Sequence, residues 1–125
     1  LRVVDLYKHN AMPQVFAATV LKEVIIEISK GRMGATAVVN DGNEVNGIIT
    51  DGDIRRLLEK TDTFGNILAT DILSPHTKTI GTQTMAAEAL EILRAYDISQ
   101  LIVADENKKY CGIIHLHDLL REGII

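Results

Sequence analysis

The sequence predicts a mixed α/β (α+β) fold made of two tandem β-α-β-β-α repeats related by a pseudo-twofold axis. Three observations carry that expectation. The chain repeats itself at a nearly constant spacing, each copy runs through helical and strand patterns in the same order, and neither copy has enough apolar surface to close a core alone. Ala37-Val38-Val39-Asn40-Asp41-Gly42 and Gly47-Ile48-Ile49-Thr50-Asp51-Gly52-Asp53-Ile54-Arg55-Arg56 face Ile102 to Asp105 and Gly112 to Arg121 at an offset of 65. Upstream, Val3-Val4-Asp5-Leu6 faces Ala69-Thr70-Asp71-Ile72, and Val20 to Ile28 faces Ala86 to Arg94, both at an offset of 66. One extra residue in the Gly31-Arg32-Met33-Gly34 loop accounts for the change.

The first repeat, residues 1–62, reads as helix Val20 to Ser29, strand Thr36 to Val39, turn Asn40-Asp41-Gly42-Asn43, strand Val45 to Ile49 and helix Asp51 to Lys60. Asp-Gly is the strongest local hairpin signal. The polar stretch Thr61 to Asn66 connects the copies. In the second repeat, residues 63–125, Ala86, Ala87, Leu90, Leu93 and Arg94 follow helical spacing and predict an amphipathic helix. Gln100 to Ala104 and Tyr110 to Ile114 flank the polar turn Asp105 to Lys109, and Leu116 to Glu122 resumes helical spacing before Gly123. Leu21, Met33 and Met85 are assigned to the core. Packing the two copies face to face leaves two equivalent clefts between them.

With 125 residues and 46% hydrophobic content, there is enough material for one core. The net charge of −4, with no basic stripe, counts against nucleic acid as a partner. The single cysteine, Cys111, allows no internal disulfide, which fits a cytoplasmic setting; its place in a hairpin strand calls for inert packing. Apolar runs are too short for a membrane span, which needs ~20 residues. The opening Leu1-Arg2-Val3-Val4-Asp5-Leu6 already reads as structured sequence, suggesting a segment of a longer chain.

Gly47 to Asp53 joins a buried strand to a helix start. The first free N–H groups of that helix, with the Thr50 hydroxyl, form a phosphate seat, and Asp53 is placed to accept from ribose hydroxyls. Thr-x-x-Asp is equally the pattern of a capping box, in which Thr50 and Asp53 satisfy each other's backbone N–H groups. Taken alone, the capping role is the commoner one. In the second repeat His115 stands where Thr is expected, while Asp118 keeps the acid position. An imidazole there can donate to phosphate, more strongly when protonated. His115-x-His117 lacks a third ligand for zinc, so no metal is expected. His9 and His76 read as exposed loop residues. Arg32 has the reach to meet a phosphate across the cleft, although an exposed loop arginine is the plainer reading.

These motifs resemble a cystathionine-β-synthase-type (CBS) pair, whose hallmark is Gly-h-h-Thr/Ser-x-x-Asp (h apolar) at the end of each repeat. The resemblance implies that Thr50 contacts the phosphate and Asp53 the ribose of a nucleotide. Backbone near Thr36, Ala37 and Val38, and near Val15, Phe16 and Ala17, would cradle the base, and in the second repeat Ile80, Gln100, His115 and Asp118 are the ligand-binding residues implied. It implies a regulatory ligand of the AMP/ATP or CMP/CMP-Kdo type, no required cofactor, and a homodimer through CBS contacts.

The ending His115-Leu116-His117-Asp118-Leu119-Leu120-Arg121, together with Gly34 to Val39 and Gly47 to Arg56, is similar to the C-terminal CBS module of arabinose-5-phosphate isomerases. That resemblance implies a sugar-isomerase (SIS) catalytic domain ahead of Leu1 and a role in Kdo, lipopolysaccharide or capsule biosynthesis. No isomerase activity is expected of these residues themselves, because they supply no acid and base pair for an aldose–ketose proton transfer. Thr50 to Arg56 also resembles the N-terminal CBS pair of sugar-phosphate nucleotidyltransferases, and a scaffold that dimerises without ligand is a third reading.

Overall fold

The computed structural model describes residues 1–74 and 77–124. In chain order it contains α1 (Val4–Tyr7), β1 (Gln14–Phe16), α2 (Leu21–Gly31), β2 (Ala35–Val39), β3 (Val45–Thr50) and α3 (Asp51–Lys60). A 3-10 turn (Ala69–Asp71) then leads to β4 (Thr79–Ile80), α4 (Ala86–Ala95), β5 (Gln100–Ala104), β6 (Tyr110–His115) and α5 (Leu116–Arg121). There are two three-stranded sheets, ordered β1-β2-β3 and β4-β5-β6, each with a parallel pair followed by an antiparallel hairpin. Their registers match. Ala35 pairs with Thr50 as Gln100 pairs with His115, and both hairpins shift register at the same place, after Val38 and after Val103.

Helical periodicity places the buried faces. Leu21, Val24 and Ile28 of α2 are buried at spacings of three and four. In α4 the buried set is Ala86, Ala89, Leu90 and Leu93, whereas Ala87 is exposed. The expected stripe is therefore corrected by one member, since Ala87 sits about 100° around the axis from Ala86 and turns to solvent. Met85 is also corrected. It is the extended N-cap of α4, outside the helical stripe, and is 43% exposed, while Met33 and Leu21 are buried as expected.

The first hairpin forms where Asp-Gly predicts one, but Gly42 is not its left-handed residue. Asn43 is, at φ 63°, and its N–H donates to the Asn40 carbonyl. The second hairpin repeats this loop without any glycine, with Lys108 at φ 65° and its N–H donating to the Asp105 carbonyl. A type I turn followed by a left-handed residue serves both.

Each copy builds its core with a segment taken from the other. Val3 and Leu6 of the α1 region join Ile80, Leu90, Leu101, Ile114 and Leu119. Ala69, with Ile67, Ile72 and Leu73 against it, joins Val15, Val24, Ile28, Val38 and Ile49. A third cluster bridges the sheets through Met33, Ala37, Val39, Ile102, Tyr110 and Ile113. The exchange explains the motif glycines. A Cβ on Gly47 would stand 2.9 Å from the Ser74 carbonyl oxygen, and one on Gly112 would stand 2.7 Å from the Tyr7 ring.

Candidate functional site

Thr50 ends β3 and caps α3, and it forms one wall of a cleft of about 600 Å³. Asp51, Gly52 and Arg56 of α3 continue that wall; Ser74, Thr77 and Lys78 form the second, and Tyr96 to Gln100 the third. The cleft thus lies between the copies, because Ser74, Thr77, Lys78 and the 96–100 segment fall in the second repeat. Lys78 Nζ sits 4.2 Å from the centre of the exposed Tyr96 ring at its rim. Gln100 crosses to the other copy, donating to the Met33 carbonyl at 2.9 Å.

The start of α3 is a closed hydrogen-bond ring. Thr50 N–H donates to Asp53 Oδ2 at 2.8 Å and Asp53 N–H donates to Thr50 Oγ1 at 3.3 Å, the capping box in full. Asp53 Oδ1 accepts from Arg56 at 2.7 Å. Asp51 N–H is also taken, by the Gly34 carbonyl. That leaves Gly52, a lining residue, as the helix-start N–H without a protein acceptor among the described residues.

A second cleft occupies the equivalent place beside α5. His115, His117, Asp118 and Arg121 form one wall, His9 to Ala11 another and Gly31 to Met33 the third, around about 260 Å³. Asp118 is buried and accepts from the His115 N–H at 2.8 Å, from Asn10 Nδ2 at 2.9 Å and from Arg121. His115 Nδ1 accepts the His117 N–H at 3.0 Å, and the two rings lie 4.3 Å apart. Burial, then His117, push the His115 pKa down, against an upward pull from Asp118. Among the described residues no group of three or more His, Cys, Asp or Glu is arranged to hold a metal ion.

A sequence model of the CBS domain family matches residues 9–60 and 69–124. The chain belongs to the CBS domain family. Over 126 residues it is 32% identical to arabinose 5-phosphate isomerase KdsD of Pseudomonas aeruginosa, covering 100% of this chain and 39% of that protein. Against other curated relatives it likewise spans 38% of their length. Among solved structures, a CBS domain protein of Pyrobaculum aerophilum complexed with AMP superposes with a TM-score of 0.83 at 21% identity, covering 95% of this chain and 90% of that one. CBSX2 in complex with AMP gives 0.78 at 18% identity, covering 98% and 96%.

Within this CBS pair, Thr50 and Gln100 line the first cleft, and His115 and Asp118 line the second. Thr36, Ala37, Val38, Val15 and Ile80 are buried in the cores rather than set at the first cleft's wall. Val15 and Val38 pack against α2, and β2 is the central strand of its sheet, so its backbone is committed to ladders on both sides. The Ala17 carbonyl accepts the Thr70 N–H instead of facing the cleft. Asp53 is spent on the capping ring and does not line the cleft. Cys111 is half-buried against the second core, and burial raises its thiol pKa, in keeping with inert packing. His9 is exposed as expected and lines the second cleft; His76 lies outside the described residues. Thr77, Lys78 and Tyr96 were missed. Local pattern carries no signal for them, because the loops preceding β4 and following α4 reach Thr50 only through the packing of the two copies.

Proposed function

We propose that this chain is the nucleotide-sensing regulatory module of a sugar-phosphate isomerase of the arabinose-5-phosphate type, working in Kdo-dependent lipopolysaccharide or capsule biosynthesis in the cytoplasm. The observation that carries the reading is the first cleft. It offers a hydroxyl (Thr50), an open N–H (Gly52), two cations (Arg56 and Lys78) and an exposed aromatic ring (Tyr96) around a volume within the ~300–1,000 Å³ of small-molecule sites. Phosphate belongs at Thr50 and Gly52, and a base can replace Lys78 on Tyr96. Asp53 then acts by fixing the Thr50 hydroxyl. The AMP complexes of two similarly folded CBS proteins support an adenylate, and the 38–39% share of the relatives' length supports a catalytic SIS domain in the same protein. Exposed Ile25, Ile26, Leu58 and Leu120 support a homodimer. Among the described residues, no helix is long and apolar enough to cross a membrane.

Calorimetric titration of the chain with AMP, ATP, CMP and CMP-Kdo tests the reading. One of them binds saturably, and the Thr50→Val variant weakens it about tenfold, the worth of one charge-assisted hydrogen bond. No heat from any of the four overturns nucleotide sensing and leaves a dimerisation scaffold. Regulation further requires that the ligand bind two arrangements of the parent with different affinity.

A further inference from the structure

The two clefts sit in equivalent places yet differ at three positions that set their chemistry. Thr50 is answered by His115, Gly52 by His117 and Asp97 by Arg32, each at an offset of 65. Arg32 and Asp97 are both left-handed, at φ 57° and 52°, so they correspond in conformation as well as in count. Each of these three exchanges puts a bulkier or more cationic group into the second cleft, while a fourth, Tyr96 to Gly31, removes the aromatic ring.

The consequences are clearest in charge. The pocket beside His115 holds about 260 Å³ and adjoins another of about 290 Å³ that shares His9, Asn10, Asp118 and Arg121, so side-chain chemistry rather than size sets the two clefts apart. The first cleft sets Arg56 and Lys78 against Asp51 and Asp97; the second sets Arg32 and Arg121 against Asp118 alone, with His9, His115 and His117 alongside. Asp118 is already engaged by the His115 N–H, Asn10 and Arg121, which damps its repulsion of an anion. Among the described residues the Arg32 guanidinium has no hydrogen-bonded or ion-paired partner. Because His115 Nδ1 accepts the His117 N–H, the neutral ring carries its proton on Nε2, and that N–H remains available to a ligand.

We propose that the second cleft binds a compact phosphate, free or esterified to a small sugar, through Arg32, Arg121 and the His115 Nε2–H, and is not a second nucleotide site. Two guanidiniums and a neutral imidazole donor suit the oxygens of a phosphate group. No aromatic side chain other than imidazole lines this cleft to receive a base. Only the contrast with the first cleft rests on the nucleotide reading above.

The test is an NMR titration of the full chain at neutral pH with inorganic phosphate, ribose 5-phosphate and AMP. Signals of Arg32, His115 and His117 report on the second cleft, and those of Thr50, Gly52 and Ser99 on the first. Phosphate and ribose 5-phosphate are expected to move the second-cleft signals and leave the first in place. An affinity about tenfold higher for ribose 5-phosphate identifies the ester as ligand, and equal affinities identify free phosphate. Arg32→Asp is expected to weaken either by about tenfold or more. Arg32 is exposed and Asp tolerates the left-handed conformation, so this variant keeps its fold where loss of the His115 cap would threaten it. Unmoved His115 signals, unchanged binding in Arg32→Asp, or AMP filling both clefts with matched affinity overturns the proposal. Failure of AMP at Thr50 with phosphate still binding beside His115 removes the nucleotide reading and leaves this one standing.

Discussion

The Thr50 hydroxyl and the Asp53 carboxylate hold each other. Thr50 Oγ1 donates to Asp53 Oδ2 at 3.1 Å and accepts the Asp53 N–H, while Asp53 Oδ2 also accepts the Thr50 N–H. The cap and the proposed phosphate contact therefore share one hydroxyl, which the helix start holds in place and whose proton must turn from Asp53 to the phosphate when a nucleotide binds. Asp53→Ala is expected to cost about 0.5–2 kcal/mol in urea denaturation, the usual worth of a cap. It is also expected to weaken AMP in the calorimetric titration, because the Thr50 rotamer is no longer held. Loss of stability with unchanged AMP affinity would separate the two roles.

Gly47 sits under the segment exchanged from the other repeat, with a prospective Cβ 2.9 Å from the backbone oxygen of Ser74. Gly47→Ala must push that segment away and lose the Ser74 N–H bond to the Ile48 carbonyl. A destabilisation of about 1–3 kcal/mol is expected, as for other overpacked sites. Gly65 has no atom within 4 Å of its prospective Cβ, and Gly65→Ala should stay within about 0.5 kcal/mol of the parent. Paired denaturation curves decide it.

Tyr110 ties the second hairpin to the first repeat: its buried hydroxyl donates to the Pro13 carbonyl at 2.8 Å. Burial pushes its ionisation far above the ordinary tyrosine value, so the hydroxyl stays a donor throughout the working range. Tyr110→Phe leaves that carbonyl with only the longer bond from the Ala37 N–H and is expected to cost about 0.5–1.5 kcal/mol by chemical denaturation. An unchanged midpoint would mean that water replaces the hydroxyl.

His115 gives stability a pH dependence of definite sign. Burial, followed by the neighbouring His117, holds its pKa below the ordinary 6.5, so the unfolded chain takes up this proton at a higher pH than the folded one. Its contribution is present above 6.5 and is lost as the pH falls from there through the folded value. His115→Thr keeps an N-cap oxygen without a titrating ring. Denaturation midpoints measured from neutral to acid pH should fall more steeply for the parent than for this variant, and parallel curves would refute the assignment.

Much of this architecture was legible because it is periodic. The offset of 65 located both hairpins and both capping helices, and Thr50-x-x-Asp53 announced its hydrogen-bond ring. The Met85 and Ala87 assignments failed for a local reason: hydrophobicity alone does not say where a helix begins or which way its first turn faces. Val15, Val38 and Ile80, named for the ligand, have their side chains in the cores, because strands this apolar are consumed by the cores they build.

The sequence by itself determined the duplication, the order of elements and the chemistry at the two helix starts, since these depend on residues close together in the chain. Tertiary structure alone decided which segments close each core and which loops complete each cleft. Lys78 and Tyr96 reach Thr50, and Arg32 reaches His115, only because the copies exchange segments and face each other. Proximity created across dozens of residues leaves no trace in local pattern.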